Sequence, residues 1–156
     1  MMSDDPSDDS NRDPVRELAH DHADLNRRVL ELGPLLAKLP SPQPLLPLLK
    51  ELREHMFLHF AREEEGLFPL VADWIPELAD RVLAMVGAHD AICGALARMI
   101  HAASAEGDLA AFQGLLARFE ATYSEHAKNE VELLRRLDAG LDAAQRTQLA
   151  ELVRSL

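Results

Sequence analysis

The chain has one cysteine, Cys93, in 156 residues, so no disulfide can close within it. Aromatic residues make up only 4% and runs of β-branched residues are few, which argues against strands. Lysine and arginine number 16 against 27 acidic residues, a formal net charge of −11. A chain so short of positive charge lacks the clustered cations that nucleic-acid phosphates or anionic membrane surfaces attract. No uninterrupted apolar run approaches the roughly 20 residues of a membrane span. The segment Met1 to Asp13 is rich in Asp and Ser where a signal peptide would be basic and then apolar. The expectation is a cytoplasmic protein with no nucleic-acid and no membrane partner.

Leucine and alanine dominate a hydrophobic fraction of 47%, a composition that favours helix. Residues 1–12 are acidic and nearly free of apolar side chains, and are expected to form a disordered tail. Residues 13–156 then make a single domain. Asp13-Pro14 reads as an N-cap followed by proline at the first helical position. Leu18, His22, Leu25, Val29, Leu32, Leu36 and Leu39 alternate in steps of four and three, predicting a helix over 14–38 that Gly33-Pro34 kinks or ends early. After the turn Ser41-Pro42-Gln43-Pro44, the same alternation runs through Leu45, Leu49, Leu52, Met56, His59 and Glu63, and loosens at Gly66 and Pro69. A third helix follows Asp73-Trp74-Ile75-Pro76, with Val82, Met85, His89, Ile92, Leu96 and Met99 on one stripe. The fourth, after Glu106-Gly107-Asp108, carries Phe112, Leu116, Phe119, Tyr123, His126, Glu130, Leu133 and Leu137. A short helix beyond Asp142 would cover one edge. The fold class is therefore all-α, an antiparallel up-down-up-down four-helix bundle with a short extra C-terminal helix.

One spacing occurs twice. His22 is followed by His59 and Glu63, and His89 by His126 and Glu130, the second set displaced by 67 positions from the first. The apolar stripes repeat with the same displacement, Leu49 with Leu116 and Leu52 with Phe119 among them. This predicts two helix hairpins related by an approximate two-fold axis. Counted from the turns at roughly 1.5 Å per residue, all four histidines fall within about one helical turn of a common layer. An inward stripe takes about two positions in seven, so about two of seven histidines should fall on it by chance, whereas four do, one per helix. Each glutamate lies one turn beyond an inward histidine and shares its face.

The bland alternative is a set of buried His–Glu ion pairs. Burying carboxylates and imidazoles in this number would consume much of a stability that is typically about 5–15 kcal/mol, where apolar residues would pack as well. A metal centre is the better explanation. Four imidazoles and two carboxylates exceed one tetrahedral zinc, contain no thiolate, and are richer in nitrogen than calcium or magnesium sites. Two non-haem iron ions fit best, with manganese or a mixed pair as alternatives. In the simplest arrangement each ion takes two histidines and both glutamates bridge; the pairing of histidines with ions is left open by the sequence.

The segments Asp21 to Asn26 (DHADLN), His59 to Pro69 (HFAREEEGLFP), Gly87 to Leu96 (GAHDAICGAL) and Glu125 to Leu134 (EHAKNEVELL) resemble the four helices of the hemerythrin-like, or HHE cation-binding, family. The resemblance spans about 14–138. It implies an oxo- or hydroxo-bridged di-iron centre with His22, His59, Glu63, His89, His126 and Glu130 at ligand positions. It also implies a departure. Oxygen-carrying members have a fifth histidine on the third helix, whereas the turns flanking His89 here carry Met85 and Cys93. The set is more similar to the four-histidine, two-glutamate proteins linked to nitric oxide, iron–sulfur repair and iron sensing. The expected function is binding of O2, NO or peroxide for sensing, scavenging or stress protection. The alternatives are a di-iron enzyme reducing nitric oxide or peroxide, and an iron donor or storage protein. Expected partners are the small ligand and an electron donor or signalling protein, the chain being a monomer or homodimer.

Four residues are candidates for the layer around the ligands. Tyr123, one turn before His126, would approach the centre with its hydroxyl. Cys93 and Met85 share the His89 face, and His55 lies one turn before His59. His20 and His101 fall off the stripe or beyond the layer.

Overall fold

Residues 13–105 and 107–155 are described by a computed structural model of the chain; the acidic tail expected over 1–12 lies outside them. Among the described residues every regular element is helical. Helix α1 spans Pro14–Leu36, α2 Leu46–Arg62, α3 Phe68–Trp74, α4 Ala79–Ser104, α5 Leu109–Gly140 and α6 Ala143–Ser155. Asp13 accepts a hydrogen bond from the Val15 backbone N–H at 3.1 Å, and Asp108 from that of Ala110 at 2.9 Å, each satisfying one of the orphan donors of a helix start. Pro34 sits in the last turn of α1 without ending it, and the helix closes at Leu36, two residues short of expectation.

The loosening expected at Gly66 takes a specific form. Between α2 and α3, Glu63–Leu67 is a π-turn, so the chain continues helically through the segment with one residue more per turn. The buried stripe therefore advances by one position: Val71 is buried, while its counterpart in the second hairpin, Asp138, is exposed. Helix α4 begins at Ala79 after a 3-10 turn over Pro76–Leu78.

Helix α1 packs against α2 and α5, and α4 against the same two, so the four long helices enclose a common interior. The interior has two apolar bodies. One contains Leu25, Val29, Leu49, Leu52, Met56, Ile92, Leu96, Phe112 and Phe119; the other gathers Val15, Leu18, Leu67, Phe68, Val71, Met85, Leu133 and Leu137. Leu149 of α6 is fully buried in the second body, so α6 covers that end of the bundle. The segment Pro76–Ser104, with a best-window mean hydropathy of 1.3, is long and apolar enough to cross a membrane by length and composition alone. Counting uninterrupted apolar runs passes over it, because Asp80, Arg81, His89 and Asp90 punctuate it. Its buried residues, Val82, Met85, Ile92, Leu96 and Met99, are inner wall of the bundle.

Candidate metal centre

Six polar side chains lie between the two apolar bodies: His22 from α1, His59 from α2, Glu63 from the π-turn, His89 from α4, and His126 and Glu130 from α5. All six are buried, Glu63 completely. They reach one layer because each occupies an inward position of its stripe, and the apolar residues a turn above and below hold the helices in register.

The carboxylates divide their oxygens. Glu63 Oε1 lies 2.5 Å from His59 Nε2 and 3.2 Å from His22 Nε2, while its Oε2 lies 3.1 Å from His89 Nε2. Glu130 repeats the division: its Oε1 meets His22 Nε2 and lies 3.5 Å from His59 Nε2, and its Oε2 lies 3.0 Å from His126 Nε2. The imidazoles pair accordingly. The His22 and His59 rings are 4.5 Å apart at 61°, and the His89 and His126 rings 4.7 Å apart at 71°. The sequence relation between His22-His59-Glu63 and His89-His126-Glu130 is thus expressed as two similar half-sites sharing both glutamates.

The fit to metal ions can be tested on the donor atoms themselves. His59 Nε2, His89 Nε2, His126 Nε2, Glu63 Oε2 and Glu130 Oε1 are buried and have no aligned hydrogen-bond partner, close as they are to one another. Orphaned buried donors of this kind are costly unless something else satisfies them. Two groups of donors lie within metal-binding reach: His22, His59, Glu63 and Glu130 in one, Glu63, His89 and His126 in the other. The donor atoms are compatible with a metal site: each group could hold a cation, Glu63 belonging to both and Glu130 to the first.

Without cations, protons take their place. Burial by itself would lower the His22 pKa, but contacts with Glu130 and Glu63 outweigh it and hold the group at about 9. For His59 burial is likewise outweighed, by Asp21, Glu130 and Glu63, and its pKa stands at about 11. His89 is raised in the same sense, chiefly by Glu63 against burial. Glu130 is held well below the carboxylate range, since its contacts with Glu63, His126, His22 and His59 exceed the burial cost. At neutral pH His22 and His59 are therefore imidazoliums beside the Glu130 carboxylate in the metal-free layer.

Several neighbours were not singled out by the sequence reading. Glu64 Oε1 is 2.9 Å from His89 Nδ1, a hydrogen bond from the imidazole's outer face. Phe60 stacks flat on His89, centroids 3.8 Å apart and planes 10° apart, with Phe68 stacked at 5.6 Å. Asp21 Oδ2 is 3.9 Å from His59 Nδ1 and 3.4 Å from Arg62 Nη1. Each is adjacent in sequence to a ligand candidate or one turn from it, the only signal that marks them.

Tyr123 is buried, and its hydroxyl donates to Asn26 Oδ1 at 2.8 Å, so its polar end is satisfied on α1. Met85 is buried in the second apolar body. Cys93 is half-buried and free; burial, then Asp90 and Glu64, push its thiol up to about 11, so it is a thiol at neutral pH. The structure does not bring His55 to the centre: it is exposed and lies 3.8 Å from Glu51. His20 and His101 are exposed.

The family model of the hemerythrin HHE cation binding domain matches residues 13–137, which include all six buried polar residues. No curated protein and no solved structure matches the chain.

Proposed function

The chain belongs to the hemerythrin HHE cation-binding family, and from that premise we propose that it is a non-haem di-iron protein that binds dioxygen, nitric oxide or peroxide for sensing, scavenging or stress protection. One observation carries the reading: Glu63 and Glu130 each turn one oxygen to the His22/His59 pair and the other to the His89/His126 pair. On it, His22 and His59 would hold one ion and His89 and His126 the other, with Glu63 and Glu130 facing both pairs. Six donors without a thiolate suit iron, and then manganese, better than a structural zinc.

An iron pair would supply reversible electron transfer and coordination positions for a small oxidant. The chain's own residues supply the rest. Phe60 and Phe68 exclude water from the His89 side, and the two glutamates would offset part of the cations' charge. Met85 and Cys93 in the turns flanking His89 offer no fifth imidazole, which supports open positions and hence reactivity.

The closed set of neighbours, α1 with α2 and α5 and α4 with α2 and α5, together with the short connections, supports the up-down-up-down bundle. The reading places the protein in the cytoplasm as a monomer or homodimer. An electron donor or signalling protein would be its macromolecular partner.

The test is elemental analysis of iron per chain after expression with iron, followed by anaerobic titration with nitric oxide. Close to two irons and a stoichiometric nitrosyl spectrum are expected. No iron, or a trace, would leave the layer as buried His–Glu pairs or as the site of a different metal. Steady turnover with a reductant would move the function to catalysis, and rapid iron transfer to an apo acceptor would move it to donation.

A further inference from the structure

The displacement of 67 that maps α1 on α4 and α2 on α5 also maps the α2/α4 interface on the α5/α1 interface, and the two differ in bulk. Where Phe60 and Glu64 stand against His89 on the first, their counterparts on the second are Ala127 and Val131. A groove of about 700 Å³ with predominantly apolar walls runs there between α1 and α5, and none of the six polar residues of the centre lines it. Two large apolar side chains in its lining are turned to solvent: Leu30 of α1 is 74% exposed and Val131 of α5 63%. Apolar surface gathered in this way and rimmed by polar residues marks a place where another molecule docks.

Contacts between α1 and α5 fix their relative height. His22 meets Glu130, Asn26 accepts from Tyr123, and a methyl placed on Gly33 would lie 3.6 Å from Glu120 Oε1. The two helices therefore run in opposite directions. Leu30 and Pro34 stand at the Glu120 end of the groove, and Ala127 and Val131 at the Lys128 end. Glu120 and Lys128 lie four residues to either side of Ser124, on one face of α5, and all three line the groove. Among the described residues neither of these two charges has an ion-pair partner, whereas Arg27 on the opposite helix is held by Asp24 and Glu31.

We propose that a second copy of this chain covers the groove, the two copies being related by a two-fold axis that passes Ser124 at right angles to α5. Rotation about that axis exchanges the ends of the groove. Glu120 of each copy then faces Lys128 of the other, and Leu30 and Pro34 of each lie over Ala127 and Val131 of the other. An isologous contact requires self-complementarity of this kind. The area agrees with it. Helix α1, with 23 residues, is about 35 Å long, and two neighbouring helices of about 10 Å diameter present a face of roughly 700 Å². A specific interface takes about 800 Å² from each partner. The net charge of −11 on each copy opposes association at long range, but physiological salt screens it beyond about 8 Å, and the face itself carries both signs. The proposal selects the homodimer and is independent of the di-iron reading.

Sedimentation of the full chain, with and without iron, reads the association directly, the monomer being 17.3 kDa. A species of twice that mass is expected at micromolar concentrations, the weak end of what an interface of this size gives. Leu30→Glu and Val131→Glu, both at exposed positions where folding is not at stake, should each weaken dimerisation by about tenfold or more, because each buries an unpaired charge in the contact. Lys128→Glu sets like charges opposite one another and should weaken it similarly. The double reversal of Glu120→Lys with Lys128→Glu should restore wild-type association, a rescue that only this register provides. Leu83→Glu, at a leucine of α4 that is 71% exposed, should leave the dimer intact. A chain that stays monomeric well above micromolar concentration would overturn the proposal and leave the face to a different protein. A dimer insensitive to Leu30→Glu and Val131→Glu, or one that Leu83→Glu dissociates, would place the contact elsewhere and defeat it as well. Failure of the double reversal to rescue would refute the two-fold axis at Ser124.

Discussion

The Tyr123 hydroxyl donates to Asn26 Oδ1 across 2.8 Å, joining α5 to α1 within the lining of the groove that flanks the polar layer. The phenol is thereby committed to a partner on a neighbouring helix. Burial, reinforced by the charges of Glu130 and Glu63, raises its pKa, so it is un-ionised at neutral pH. Tyr123→Phe removes one buried hydrogen bond and leaves the ring. A loss of about 1 kcal/mol is expected in urea unfolding, with iron content unchanged. Loss of iron in this variant would give the hydroxyl a role at the centre that its bond to Asn26 does not suggest.

Because each glutamate faces both histidine pairs, removing one should release both ions and not one. Glu130→Ala is expected to bring iron per chain close to zero, whereas His126→Ala, which touches only one half-site, should retain up to one. Elemental analysis of the two variants side by side distinguishes shared from separate carboxylates.

Stability and metal binding should pull in opposite directions at this layer. The double substitution His59→Leu with Glu63→Leu replaces a buried pair by apolar groups, which in metal-free protein is expected to be neutral or stabilising by about 1–4 kcal/mol. Glu63→Leu alone strands imidazoliums and should destabilise by about 3–5 kcal/mol. Chemical denaturation of the metal-free proteins measures both, and iron binding should be lost in each.

The dependence on pH has a definite sign. The folded-state pKa values of His22 and His59, about 9 and about 11, lie above the unfolded value of 6.5. Their contribution to metal-free stability is therefore complete below pH about 6.5 and is lost as pH rises through 9 and then 11. Glu130, depressed in the fold, contributes above its unfolded value and loses that contribution as pH falls through its folded one. The metal-free melting temperature should peak in the mildly acidic range and decline towards pH 9. Metal affinity should do the reverse and strengthen over the same interval, because each imidazole must release its proton before binding. Melting curves with and without metal across pH 5–9 test both slopes.

At the start of α1, Asp13 caps the helix and lies 3.4 Å from Arg146 Nη1 of α6, which also reaches Asp138. Asp13→Ala should cost about 1 kcal/mol through the lost cap, while Arg146→Ala, which breaks a half-exposed ion pair, should cost less. Urea unfolding of the two variants checks the order.

The helices and the six polar residues of the centre were legible in the sequence, because a helix has one period and a buried carboxylate or imidazole on its apolar face is conspicuous. The π-turn was legible only as a weakness at Gly66 and Pro69. Local signals mark where a helix is easily deformed, but the one-residue advance from Leu67 to Val71 is imposed by packing against α4 and α6. His55 looked like a neighbour of the centre because it lies one turn from His59. A step of four residues rotates the position by about 40°, which carries Glu63 to the middle of the stripe but takes His55 off its edge, and His55 is exposed beside Glu51.

The sequence by itself determined the helical class, the inward stripe of each helix and the repeated His, His-Glu spacing, since these depend only on residue type and the period of 3.6. Tertiary structure alone decided which histidines face each other, how Glu63 and Glu130 divide their oxygens, and that Phe60 and Glu64 close one wall while Ala127 and Val131 leave the other open. Those are relations between helices, and they are fixed only when the bundle sets each helix's rotation and height against its neighbours.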